Sequence, residues 1–265
     1  MDIDDILASV DRDDVSTPES IALDHQLLVR FWVAERGVSE LLPWPGPLMN
    51  RMMERVKKQI ETIEDLAASS DPSSTSTTAH NPTLNLKLSI LQTDLSRTQY
   101  IIRSILRQRL SKLTKHSMHY LLRIANPVPT PSSRSQQPSQ QQPEDSIPDV
   151  SNLSDPSPLS PQEVAFLHAH QSLLAGHYGA SFLGSFPPQL RRLDDNAGGT
   201  SMVQGPEVKE VVFVRCLVEE VRVVVPPGDG IEEEEFGTTM RMGDVWAVRW
   251  EGIKEAWEEG EVEIL

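Results

Sequence analysis

The residue types most able to do chemistry are scattered along this chain. His116 and His119 stand three apart, which fits one helix face, and His168 and His170 stand two apart. Neither pair has a Cys or Glu partner at a recognised zinc spacing, so both read as exposed or capping histidines and no metal site is expected. The single cysteine, Cys216, lies in an apolar strand-like run and reads as core rather than nucleophile. Asp194-Asp195 could serve as paired carboxylates, but beside Asn196 and Gly198-Gly199 they read as cap and turn residues. Glu232–Glu235 is an acidic loop run whose default state is solvated. There is no Gly-x-Ser-x-Gly elbow, no P-loop and no three-glycine dinucleotide fingerprint. The expectation is therefore a protein that is not an enzyme, with no catalytic residues and no cofactor.

One cluster carries a positive signal. In RSILRQRLSKLTK, Arg103, Arg107, Arg109, Lys112 and Lys115 form a basic helical stripe. Such a stripe can hold phosphates or meet an acidic protein surface. With only Tyr100 close by, base stacking is poorly supported, and the protein surface is the favoured reading. A DNA-binding module using Arg103–Lys115 is the alternative. The charge is segregated: residues 1–20 sum to −6, residues 82–124 to +7 and residues 206–265 to −10, within a net charge of −15. Overall acidity argues against a general nucleic-acid binder.

The elements that must position these residues follow from periodicity. Residues 1–16 hold Ile3, Ile6, Leu7 and Val10 at helical spacing among aspartates, a short amphipathic segment of the kind that binds a partner groove. Thr17-Pro18 starts a helix to about Arg36, and Gly37 stops it. The rigid LLPWPGP connection leads to a helix over about Leu48–Ala68. A long helix from about Thr83 to Ala125 follows, with leucines including Leu106 and Leu110 on its apolar lines and Ile101 and Ile105 on a second. Ser160-Pro161-Gln162-Glu163 reads as a capping box opening a helix to about Gly184. The tracts 69–82 and 126–158, rich in Ser, Thr, Pro and Gln, are expected to be disordered.

Pro187-Pro188 and the turn-rich Asp194–Gly199 then mark a boundary, after which the period becomes that of strands. Val211–Val214, Val221–Val225, Val245–Trp250 and Val262–Leu265 are the expected strands. Met242-Gly243-Asp244 is an expected turn, and Ile253–Trp257 a short helix. The fold class is α+β: a helical domain over 17–195, a linker over 196–205, and a small, mostly-β domain over 206–265. A β unit of that size often needs a neighbour to be stable. With one cysteine, no bilayer-spanning apolar run and an acidic start, the chain reads as soluble and intracellular.

Several collinear stretches resemble the Sld-five subunit family of the eukaryotic GINS complex. They are WVAERGVSELLPWPGPLMNRM, LNLKLSILQTDLSRTQYIIRSILRQRLSKL, LSPQEVAFLHAH, HYGASFLGSFPPQLRRLDD, MVQGPEVKEVVFVRCL and the tail from Met240. The resemblance implies an N-terminal helical bundle domain and a small C-terminal β domain. It implies a non-catalytic scaffold in a nuclear heterotetramer with the three other GINS subunits. That tetramer joins the MCM ring and its Cdc-forty-five partner in the replicative CMG helicase, for initiation of DNA replication and fork progression. MDIDDILASV also resembles the peptide by which some members bind a trimeric WD-repeat hub, the Ctf-four protein, with Asp4, Asp5, Ile6 and Leu7 matching its core. The tracts at 69–82 and 126–158 depart from the family pattern by lengthening loops.

Overall fold

A computed structural model describes residues 18–69, 82–125, 147, 158–187, 190–191, 203–225 and 236–265. Among these residues the helices are α1 (Pro18–Gly37), α2 (Gly46–Ser69), α3 (Pro82–Lys115), α4 (Ser117–Ala125), α5 (Pro161–Ser181) and α6 (Lys254–Glu258). Five short strands, β1 (Val211–Cys216), β2 (Glu220–Val225), β3 (Phe236–Arg241), β4 (Val245–Arg249) and β5 (Val262–Ile264), make the C-terminal part. This is the α+β arrangement expected from the change of period. The acidic N-terminal peptide, the low-complexity tracts, Asp194-Asp195 and Glu232–Glu235 lie outside the described residues.

The chain forms two compact units, Met1–Val33 with Pro45–Leu106, and Ala34–Trp44 with Arg107–Leu265. In the first, Leu28 of α1, Met49, Met52 and Val56 of α2, and Ile102 and Ile105 of α3 are buried. Helical spacing brings each set to one face. Asp24, itself buried, binds Arg51 at 2.9 Å and Arg55 at 2.8 Å. The arginine beside it holds its carboxyl below the usual carboxylate range, against the opposing effect of burial. Trp32 Nε1 donates to Ser104 Oγ at 2.8 Å.

In the second unit, Leu41, Leu113, Tyr120, Leu121, Leu159, Val164 and Leu167 form a core. Helix α5 starts as expected: Ser160 Oγ accepts from Glu163 N at 3.2 Å while Ser160 N donates to Glu163 Oε2 at 2.9 Å. The single helix expected over 83–125 is instead two, parted at His116. Backbone bonds of helical i→i−4 spacing persist on both sides, from His116 N to Lys112 O and from Tyr120 N to His116 O.

Strand β1 lies between β4 and β5, antiparallel to both, and β2 pairs with β3. Alternation sends Val212, Val214 and Cys216 inward. At the β3–β4 turn, Gly243 has φ +87°, a conformation that glycine adopts at little cost. Asp244 closes that turn by accepting from Arg241 N at 3.1 Å. The last expected strand residue of this segment, Trp250, instead opens a short 3-10 turn and is fully buried.

Candidate functional site

The most organised chemistry in the second unit is a buried cluster of ion pairs. Arg109 is fully buried. Its Nε and Nη2 donate to the two oxygens of Glu163 at 2.6 and 3.0 Å, and its Nη1 donates to Glu35 Oε2 at 3.0 Å and Leu42 O at 2.7 Å. The guanidinium also lies 5.2 Å from the Trp44 ring centroid, a cation–π distance. Lys112 Nζ spends its three donors on Glu35 O at 2.6 Å, Glu35 Oε1 at 2.7 Å and Glu40 O at 2.9 Å. Two cations meet two carboxylates, so the cluster is neutral. Burial pushes the Glu35 carboxyl up and the Lys112 ammonium down, and their mutual attraction opposes both shifts.

Glu40 organises a second cluster. It accepts from Arg123 at 2.8 Å, from Lys254 at 2.8 and 2.9 Å, and from Trp250 Nε1 at 3.0 Å. Burial alone would raise its carboxyl, but hydrogen bonds from Lys254, Arg123 and Trp250 outweigh burial and bring it down to about 2. Tyr120 OH, accepting from Leu41 N at 2.9 Å, is pushed up to about 12 by burial. These contacts tie the 38–44 segment to α4 and to the C-terminal strands' turn. They fix structure, and each charged group named in the two clusters is paired.

The predicted basic stripe is corrected here. Arg103, Arg107 and Lys115 are exposed, but Arg109 and Lys112 are interior and saturated with partners, so neither can reach a phosphate or an external surface. The apolar lines change with them. Leu106 and Leu110 face outward, while Ile102, Ile105, Arg109, Lys112 and Leu113 form the buried face. Sequence reading also missed Glu35, Glu40 and Trp250. The available signal was register: Glu35 follows Leu28 and Phe31 at helical spacing on an apolar face.

Among the described residues no group of His, Cys, Asp and Glu is arranged to hold a metal ion. His116 Nδ1 lies 3.0 Å from Gln204 O, and His170 stacks on Phe166 at 5.8 Å between centroids. Cys216 is buried on the inner face of β1, with Sγ 3.2 Å from Val218 O.

Two family models match the chain. One, described as the GINS complex protein helical bundle domain, matches residues 53–182. The other, described as the DNA replication complex GINS protein SLD5 C-terminus, matches residues 206–265. The DNA replication complex GINS protein SLD5 of Chaetomium globosum is 34% identical, covering 100% of both chains. That of Yarrowia lipolytica is 30% identical over 98% of this chain and 84% of its own. The chain belongs to the GINS SLD5 family. The Schizosaccharomyces pombe member is 26% identical and covers 100% of this chain and 99% of its own length.

Several helices of this SLD5-family chain carry exposed apolar side chains. Leu86 and Ile90 of α3 stand one turn apart at 62% and 60% exposure, and Leu173 of α5 reaches 71%. Ile21, Leu23, Phe166 and Phe182 are also exposed. On α5, Pro161–Ser181, Glu163 is the lone Asp, Glu, Lys or Arg, and it is turned inward to Arg109. No described helix is long and apolar enough to cross a membrane.

Proposed function

We propose that this chain is a non-catalytic scaffold subunit of the heterotetrameric GINS complex, acting in the nucleus as part of the replicative CMG helicase. In this reading it contacts the three other GINS subunits and, through the assembly, the MCM ring and the Cdc-forty-five protein, in initiation and fork progression. One observation carries it: several helices expose leucine, isoleucine and phenylalanine, while Glu35, Arg109, Lys112 and Glu163 are locked in one neutral buried cluster. Exposed apolar faces of this kind mark protein–protein contact. The two family models support the division into a helical domain over 17–195 and a small β domain over 206–265.

The N-terminal residues Asp4, Asp5, Ile6 and Leu7 form, in the same proposal, the peptide that seats in the Ctf-four hub. Direct DNA contact is the lesser reading, since it keeps Arg103, Arg107 and Lys115 and loses Arg109 and Lys112. The test of the scaffold reading is expression. Alone, the chain should aggregate; co-expressed with the other GINS subunits, it should be recovered as a stoichiometric complex by native mass measurement. A monodisperse, stable monomer that ignores those subunits would overturn the proposal.

A further inference from the structure

In the second unit, the backbone that leads into β1 is gripped by two histidines at the α3–α4 junction. His116 Nδ1 lies 3.0 Å from Gln204 O; a carbonyl only accepts, so the ring nitrogen donates, and it can do so whether the ring is neutral or charged. His119, half-buried on α4, meets the next residue. A Cβ at Gly205 would lie 3.0 Å from its Cε1 and Nδ1, against roughly 3.5–4.0 Å for ordinary carbon contacts. Glycine is what lets the ring seat against the backbone. Past this grip the chain ties into the β domain: Glu210 O accepts from Trp250 N at 2.9 Å and Val208 O from Glu251 N at 3.1 Å. Ser39 Oγ donates to Glu210 Oε2. A polar cavity of about 430 Å³ lined by His116, Gln204 and Gly205 lies alongside, large enough to admit water as the backbone lifts.

We infer that Gln204–Glu207 is a strap that His119 holds while neutral and releases on taking up a proton. Burial, then the charges of Arg123 and His116, keep the His119 imidazole below its ordinary range, with Glu40 pulling the other way. The charges around the two rings leave a His119 cation poorly matched. Lys112 is paired with Glu35, and Glu40 already accepts from Arg123, Lys254 and Trp250. Arg36 and Lys115 stand with Glu207 and Glu210 around the cavity on the His116 side. A proton on His119 therefore adds a cation beside Arg123 that must be hydrated, and the ring reaches water by swinging off Gly205. The sign follows from the direction of the shift. Because the folded-state value lies below the ordinary 6.5, the hold is present above that pH and is lost as the pH falls through the folded-state value.

The test is cleavage after Glu207 by a glutamate-specific protease, in the full chain assembled with the other GINS subunits and quantified by mass spectrometry. Comparing variants at one pH cancels the protease's own pH profile. His119→Phe keeps an aromatic ring and removes the titrating group. At about pH 8 it should be cut as slowly as wild type, and at about pH 5.5 wild type should be cut about fivefold faster than His119→Phe. Gly205→Ala places a methyl against the ring and should be cut about fivefold faster than wild type at about pH 8. A ratio of wild type to His119→Phe that does not rise on acidification, or a Gly205→Ala rate equal to that of wild type, would overturn the proposal. Assembly is scored separately by native mass measurement, so failure of the strap is distinct from failure of the scaffold reading.

Discussion

Glu163 performs two tasks that can be separated by mutation. It closes the capping box of α5 with Ser160, and it forms the bidentate partner of fully buried Arg109 at 2.6 and 3.0 Å. Ser160→Ala removes half of the cap and should cost about 1 kcal/mol. Glu163→Ala removes the other half and leaves the four-charge cluster with a net buried positive charge. Breaking a buried pair costs about 3–5 kcal/mol, and the lost cap adds about 1. For a unit of this size, about 1 kcal/mol shifts the unfolding midpoint by roughly 2–4 °C. Glu163→Ala should therefore lower the midpoint of the assembled complex by at least about 8 °C, against about 2–4 °C for Ser160→Ala, read by scanning calorimetry at pH 7. The double variant Arg109→Met with Glu163→Leu removes one charge of each sign and leaves the Glu35–Lys112 pair intact and neutral. Its cost should fall well below the sum of the singles, with a coupling of about 2 kcal/mol. If Glu163→Ala lies within about 1 kcal/mol of Ser160→Ala, the buried pair contributes nothing net and the reasoning fails.

Three further outcomes follow from the same geometry. Glu40 titrates at about 2 in the folded chain against a usual 4.5. Its contribution is therefore present above about pH 4.5 and lost as pH falls toward 2. It amounts to about 2 kcal/mol after allowing for the partly exposed Arg123 and Lys254. Acid unfolding of Glu40→Gln should begin less stable and show a shallower loss between those pH values; an unchanged slope would contradict the cluster. Arg107→Glu with Lys115→Glu should alter duplex-DNA affinity of the complex by less than about threefold, whereas a tenfold loss with a reduced salt slope would establish DNA contact. Ile6→Ala with Leu7→Ala should abolish hub capture in a pull-down and leave tetramer assembly unchanged; equal capture would refute the peptide assignment.

Local chemistry made much of the fold legible. The Ser160–Glu163 capping box, the stop at Gly37 and the Met242-Gly243-Asp244 turn each follow from particular residue types in one short window. Such signals depend on backbone preferences and on a single nearby hydrogen bond, so the residues alone suffice. The family, too, was readable, because collinear stretches carry it.

Partner choice at long range was not legible. Arg109 looked like one member of an outward basic stripe, yet it binds Glu163, 54 residues away, and Glu35, 74 away. Leu106 and Leu110 looked like core and face outward. A helix presents every side chain at a fixed angle, and periodicity cannot say which of two plausible faces turns inward. That choice was made by carboxylates on other segments. A guanidinium can be buried only where acceptors and opposite charge already wait, and that condition exists only once Glu35, Leu42 and Glu163 have been brought together by the tertiary fold. Sequence determined the elements and the family; the assembled interior decided which charges were structural and which apolar side chains remained exposed.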